Sequence, residues 1–244
     1  RTNLKHDART ISSSSSSSED DDEGIVYDNT TDLAYHSRSE LEGSEQIHRA
    51  LSIEERSAMP DEYMPLRHYR AEKGDINKAI NSIRLTLRWR KDFGVDNIVR
   101  ALEDESDDCT NGTMGSIARP DLAAILRKEN ETGKIYVRGY DKDGRAMMYM
   151  RPGNENTMNE NNNMRHLVFQ IEKAVQCSQK NGHGKISMII DYEGFTIAKT
   201  PPMSTSKRTL DILQRHYCER MYRAYICNPP RSEEHTSELQ SHSD

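Results

Sequence analysis

The acidic and nucleophilic residues of this chain do not fall at the spacings that catalytic sites require. The sequence contains no GxSxG elbow and no HExxH helix, and its nine histidines include no pair at metal-ligand spacing. Asp191 ends a predicted strand and Glu193 follows it, so this carboxylate pair is the best candidate for acid–base chemistry. No base, nucleophile or metal ligand lies beside the pair in the sequence. We therefore predict that the protein is not an enzyme and uses no metal or cofactor.

Two glycine-containing segments share part of a ligand-binding motif. Residues 182–185 (GHGK) contain glycines and a lysine, but they lack the GxxxxGK[ST] spacing and lead into a predicted strand instead of a helix. Residues 141–144 (DKDG) begin like a calcium loop, but no glutamate stands at the twelfth position. The first segment is interpreted as a loop that ends a helix, and the second as a hairpin turn.

The composition argues against several classes of protein. Of the 244 residues, 34% are hydrophobic, and no stretch approaches the roughly 20 apolar residues of a membrane-spanning helix. The four cysteines are widely spaced and include no CxxC pair, which favours reduced thiols in a cytosolic protein over a zinc site or a disulfide framework. The overall charge of −6 conceals an acidic N-terminal part, residues 1–62 at −9, and a middle segment, residues 63–230, at +6.

The N-terminal part has the composition of a disordered tail. Residues 12–18 are all serine, and five acidic residues follow at 19–23. Such a segment buries too little apolar surface to offset its ordering entropy, so we expect residues 1–44 to be disordered. Ser16, Ser17 and Ser18 are candidate sites for an acid-directed kinase, and each phosphate would add ~1.5–2 negative charges. The simpler alternative is a solvated tail without modification.

Residues 45–104 have the periodicity of a helical module. Its clearest helix begins after Asp75, a good N-cap, and ends at Gly94. The apolar face of this helix consists of Ile76, Ala79, Ile80, Ile83 and Leu87. The acidic segment 103–115 is predicted to separate this module from a second domain at 116–230.

The second domain alternates strands and helices. Apolar runs at 135–138 and 146–150 flank the DKDG turn and predict a hairpin. Thr157 and Glu160 form a capping-box pattern that predicts the start of a long helix ending at residues 181–182. Its apolar stripe comprises Met164, Leu167, Val168, Ile171, Ala174 and Val175.

A strand at 186–191 follows that helix. A further helix, with Leu210, Leu213 and Tyr217 on one face, leads to a last strand at 224–228. Strands joined by crossover helices of this length form βαβ units. The predicted fold class is α/β, with a largely parallel sheet and covering helices behind the all-helical N-terminal module.

Several segments, in order, resemble the CRAL-TRIO (Sec14-like) lipid-transfer domains. Residues 66–71 (LRHYRA) and 87–94 (LRWRKDFG) resemble the helical module that precedes the lipid-binding lobe. Residues 140–145 (YDKDGR) resemble the family's hairpin, and 189–194 (IIDYEG) its central strand and turn. Residues 217–221 (YCERM) and 225–230 (YICNPP) resemble its YPERM…INAP signature. The resemblance covers about residues 65–230.

The resemblance implies a binding module. Such domains bind and transfer a hydrophobic lipid, a phosphoinositide or another small lipid, by enclosing it in an apolar cavity. The +6 middle segment would favour contact with anionic membranes, to which each surface Lys or Arg contributes up to ~1 kcal/mol. The implied protein is a cytoplasmic, peripheral-membrane monomer with no nucleic-acid partner. The alternative is a lipid-sensing membrane-recruitment domain or protein-interaction scaffold.

The resemblance also implies the site residues. By motif, Arg220 would pair with a lipid phosphate, and Glu219 would orient that arginine or accept hydrogen bonds from inositol hydroxyls. The alternative is a surface Glu–Arg pair. The floor of the apolar pocket would consist of Met148, Met150, Met188, Ile190 and Tyr225. The methionines have a second interpretation as ordinary core residues.

The lobe is expected to be incomplete, because the family continues after residue 230 into a gating helix and another strand. Residues 231–244 instead resemble the translation of a sequencing-library adaptor and are interpreted as a non-native tail. The alternative is a genuine polar C-terminus.

Overall fold

A computed structural model describes residues 32–102, 119–196 and 203–230. The candidate phosphorylation sites Ser16, Ser17 and Ser18 lie outside these ranges. So do the predicted acidic boundary at 103–115 and the C-terminal segment 231–244.

The N-terminal module is helical, as predicted. Its five helices are α1 (Arg38–Ala50), α2 (Ile53–Ser57), α3 (Met64–Ala71), α4 (Ile76–Phe93) and α5 (Val95–Arg100). The Asp75 side chain caps α4 by accepting a hydrogen bond from the Lys78 amide at 3.0 Å, and Gly94 ends the helix with φ 74°. A small core joins α1, α3 and α4 through Ile47, Leu51, Met64, Ala79 and Ile83.

The prediction that residues 1–44 form a disordered tail is wrong for residues 38–44, which belong to α1. Ser37 caps this helix by accepting a hydrogen bond from the Glu40 amide at 3.2 Å. Gly43 is required there, because a Cβ atom would lie 2.3 Å from the Tyr69 ring. The first turns of α1 are rich in charged and small residues, so hydrophobic periodicity could not reveal them.

The second domain is a four-stranded sheet with helices. Its elements are α6 (Arg119–Asn130), β1 (Ile135–Tyr140), β2 (Ala146–Met150), α7 (Glu160–Lys180), β3 (Ile186–Asp191), α8 (Met203–His216) and β4 (Met221–Cys227). The strand order is β1-β2-β3-β4, with β1 antiparallel to β2 and the other two pairs parallel. The predicted α/β fold with a largely parallel sheet is confirmed.

The long helix α7 forms the centre of the main core. Its predicted stripe from Met164 to Val175 is buried against the sheet and against α5 and α6. The prediction of a capping box formed by Thr157 and Glu160 is wrong. The N-cap is Asn159, whose side chain accepts a hydrogen bond from the Asn162 amide at 3.1 Å. Thr157 instead donates its hydroxyl proton to Glu129.

The buried face of α8 also differs from the prediction. Leu210 is 55% exposed, whereas Ile212 is buried. Leu213 and Tyr217 pack on the main core, as expected. At this junction the Trp89 ring of α4 stacks on the His216 ring, with centroids 4.1 Å apart and an interplanar angle of 5°. Within the described ranges, no helix has the length and apolar character needed to span a bilayer.

The N-cap of α7 provides a test of this local structure. Asn159→Ala should lower the free energy of unfolding by about 1 kcal/mol, because the Asn162 amide loses its acceptor. Asn159→Ser retains a capping oxygen and should remain close to the unsubstituted chain. Urea denaturation followed by circular dichroism measures both changes, and equal losses would show that Asn159 does not act as a cap.

Candidate functional site

The strand register sorts the side chains onto two faces of the sheet. Successive side chains of a strand point to opposite faces, so residues paired across strands share a face. One face carries two rows, Val137–Met148–Met188–Ala224 and Ile135–Met150–Ile190–Ile226. The other face carries the row between them, which we call the tyrosine row: Tyr136, Tyr149, Ile189 and Tyr225.

Across β1, β2 and β3 the first face packs against α7 and belongs to the main core, whereas Ala224 and Ile226 of β4 are exposed. Met148 is fully buried, Met188 is 2% exposed, and Met150 and Ile190 pack against the same cluster. Met148 and Met188 are therefore core residues, and a pocket role for Met150 and Ile190 stays a prediction. Strand β2 is apolar on both faces, whereas β3 carries Ser187 and Asp191 on the face opposite Met188 and Ile190. The structure supports the alternative of core packing.

The tyrosine row lies on the face opposite α7. The rings of Tyr136 and Tyr149 are stacked, with centroids 4.9 Å apart and an interplanar angle of 6°. Tyr225, the remaining predicted pocket residue, is 47% exposed on the edge strand β4. Among the described helices, α7 contacts β1, β2 and β3, and it does so from the other side. Tyr136, Tyr149 and Ile189 are half-buried, so the row is a partly accessible band of aromatic and aliphatic surface.

The carboxylates at the end of β3 are engaged in polar contacts. Asp191 accepts hydrogen bonds from Asn228 at 2.9 Å, from the Glu193 amide at 3.1 Å and from Arg151 at 3.2 Å. The hydrogen bond from Asn228, followed by the others, lowers the pKa of Asp191. A carboxylate held in its ionised form is a poor general acid.

The predicted head-group residue Arg220 is a buried link between the two domains. Its side chain is 7% exposed, donates to the Gly184 carbonyl at 2.8 Å and forms an ion pair with Asp61. Asp61 also accepts two hydrogen bonds from Arg67, at 2.8 and 3.0 Å. Two guanidinium groups from different domains therefore share one carboxylate.

The electrostatics of this cluster favour the ionised pair. Burial alone would raise the pKa of Asp61, but the charges of Arg67 and Arg220 outweigh burial and lower that pKa to about 2. Burial, together with the nearby charge of Arg67, lowers the pKa of Arg220 to about 10. Asp61 and Arg220 are therefore both charged at neutral pH.

The alternative interpretation required a surface ion pair between Glu219 and Arg220. The structure does not form this pair. Its carboxylate accepts a hydrogen bond from Lys185 at 2.8 Å, and its backbone adopts the left-handed conformation with φ 56°. The two adjacent candidates thus contact different partners, and Glu219 is half-exposed whereas Arg220 is buried.

A polar cavity of about 310 Å³ lies beside the Arg220 cluster, between the helical module and the lobe. Glu172 bridges two of its walls, with Arg90 at 2.6 Å and the Tyr217 hydroxyl at 2.7 Å. Seven of its eighteen lining residues carry charged side chains, and burying an acyl chain against them would be costly. Sequence reasoning missed Asp61, Arg67 and Glu172.

A family model described as CRAL/TRIO domain matches residues 130–236. The CRAL-TRIO domain-containing protein C23B6.04c of Schizosaccharomyces pombe is 34% identical over 165 residues, which are 68% of this chain and 14% of that protein. The phosphatidylinositol transfer protein PDR17 of Saccharomyces cerevisiae is 30% identical over 170 residues, which are 68% of this chain and 44% of that protein. The chain thus spans less than half the length of each relative.

The same fold occurs in a solved structure. The crystal structure of Sfh5 matches with a TM-score of 0.53 at 15% sequence identity, covering 80% of this chain and 73% of that chain. At this level of identity the likeness shows the fold alone.

Proposed function

Because the chain belongs, through residues 130–236, to the CRAL-TRIO family, we propose that it binds a hydrophobic lipid without covalent chemistry and transfers it between membranes. The relative PDR17 is named as a phosphatidylinositol transfer protein, which favours a phosphoinositide among the possible lipids. The proposal places the protein in the cytoplasm, as a monomer in peripheral contact with anionic membranes.

The tyrosine row is the observation that carries this proposal. It presents a band of apolar surface across all four strands, on the face that α7 leaves uncovered. A lipid chain laid along it would gain about 0.8 kcal/mol for each CH₂ group removed from water. Tyrosine rings suit this surface, since each combines an apolar face with a hydroxyl that can reach a polar group of the ligand.

The head-group role of Glu219 and Arg220 stays a prediction. Its support is the YCERM segment, which resembles the family signature. Glu219 is the better candidate of the two, because its half-exposed ion pair with Lys185 can be exchanged for a ligand at low cost. Arg220 would first have to give up a buried ion pair.

A single substitution on the tyrosine row tests the lipid site. Tyr225→Asp should lower lipid retention at least tenfold, because the ionised carboxylate would lie against an apolar ligand. The measurement is transfer of labelled phosphatidylinositol between vesicles, together with native mass spectrometry of the bound lipid.

Leu85→Asp is the matched control, because Leu85 is 60% exposed on the helical module, away from the sheet. Equal lipid retention by both variants and the unsubstituted chain would contradict the proposed site. Vesicle binding without any lipid transfer would contradict the transfer function and indicate membrane recruitment.

A further inference from the structure

The loop of residues 182–185 holds a carboxylate side chain, although it lacks a phosphate-loop motif. The Asp32 carboxylate accepts hydrogen bonds from the Gly184 amide at 2.5 Å and the Lys185 amide at 3.2 Å. Its second oxygen also accepts a hydrogen bond from Arg145 Nε at 3.1 Å. Two adjacent main-chain amides and a guanidinium that converge on one carboxylate form the kind of concave site that proteins use for oxyanions.

His183 supplies a fourth group to this site. Its ring is 5% exposed, and Nε2 donates a hydrogen bond to the Asp143 carbonyl at 2.6 Å. The other nitrogen, Nδ1, points towards Asp32 at 3.8 Å and is buried without a hydrogen-bond partner. The planar carboxylate therefore leaves one buried polar atom of the site unsatisfied, which is costly.

A tetrahedral oxyanion matches the four groups better than a carboxylate does. A carboxylate offers two oxygens in one plane, and both are used by the amides and Arg145. Hydrogen phosphate carries a P–OH group out of that plane, which can donate a hydrogen bond to Nδ1 while the other oxygens keep the present contacts.

Asp32 is held at the site by its own segment of chain. Its carbonyl oxygen accepts a hydrogen bond from Arg70 of α3 at 3.3 Å, and the Ala34 carbonyl accepts another from the same guanidinium at 2.7 Å. Leu33 covers Gly184 so closely that a Cβ atom there would lie 2.3 Å from the leucine side chain. This tether gives Asp32 a high effective concentration, so it outcompetes a free anion.

We propose that Gly184, Lys185, Arg145 and His183 form a binding site for a phosphate-class oxyanion, which Asp32 occupies as an internal ligand. The site takes either inorganic phosphate or the phosphomonoester of a lipid head group once Asp32 is withdrawn. The proposal does not depend on the tyrosine row.

The test removes the internal ligand from the full chain. Asp32→Ala should bind inorganic phosphate with a Kd at least tenfold lower than that of the unsubstituted chain, measured by isothermal titration calorimetry. The matched control is Asp143→Ala. It removes the carboxylate that accepts a hydrogen bond from Arg145 at 2.5 Å, but leaves Asp32 bound to the Gly184 and Lys185 amides. This control should bind phosphate as weakly as the unsubstituted chain.

Two further measurements keep the test decisive. If Asp32→Ala is poorly folded, phosphate should raise its Tm by several degrees relative to chloride at equal ionic strength. The second variant, Asp32→Asn, should keep the circular dichroism spectrum of the unsubstituted chain and bind phosphate. Vesicles containing phosphatidic acid, compared with phosphatidylcholine alone, distinguish a lipid source from free phosphate. Equal phosphate binding by Asp32→Ala, Asp143→Ala and the unsubstituted chain would overturn the proposal.

Discussion

Arg220→Ala should lower the free energy of unfolding by about 3–5 kcal/mol, the usual cost of removing one partner from a buried ion pair. The substitution leaves the buried Asp61 with one guanidinium instead of two and deprives the Gly184 carbonyl of its donor. Because the loss arises from the folded protein itself, every ligand should be retained less well, whether phospholipid or purely apolar. Urea denaturation followed by circular dichroism gives the stability change.

Arg223→Ala is the matched control for this prediction. Arg223 lies three residues further along the chain, on β4, and is exposed. Its loss should change the free energy of unfolding by less than about 0.5 kcal/mol. If Arg220→Ala were as stable as Arg223→Ala and lost only phospholipid, the head-group role predicted from the motif would be correct and the structural role wrong.

Lys134→Ala should also cost about 3–5 kcal/mol. The Lys134 side chain is 4% exposed, forms an ion pair with Glu129 and donates to Glu155 and Asn163 at 2.6 Å each. Removing it leaves Glu129, which is 1% exposed, as a buried carboxylate without its cation. The same denaturation experiment measures the loss.

Lys128 provides an internal comparison for Lys134. It forms an ion pair with Glu131 at 2.6 Å, but the two side chains are 62% and 60% exposed. An exposed pair contributes at most about 1 kcal/mol, so Lys128→Ala should be nearly neutral. Similar losses for the two lysine variants would mean that burial does not set the strength of these ion pairs.

The elements that were predictable carry their signal in local sequence. Helix α4 has a capping aspartate at one end, a glycine at the other and an apolar stripe between them. Helix α7 is long enough for its stripe to be unambiguous, and the strands on either side of it are apolar and short. Local periodicity and chain connectivity were therefore sufficient for the α/β class and the parallel strand pairs.

The candidate site depended on information that local sequence does not contain. Asp61 and Arg220 are separated by 159 residues, and neither position has a motif that indicates the other. Because β2 is apolar on both faces, its alternation could not show which face α7 covers. Met148 and Met188 were accordingly assigned to a pocket, whereas they lie in the core. The anion contacts of residues 182–185 involve main-chain amides, which leave no mark in residue types.

The stacking of Trp89 on His216 has a practical consequence. Trp89 is the chain's one tryptophan, and it lies where α4 of the helical module meets α8 of the lobe. The fluorescence of Trp89 therefore reports on the contact between α4 and α8 without any attached dye. A change in its emission wavelength or intensity on adding vesicles would show that the helical module and the lobe separate at this contact. Ligand binding confined to the tyrosine row would leave the spectrum unchanged.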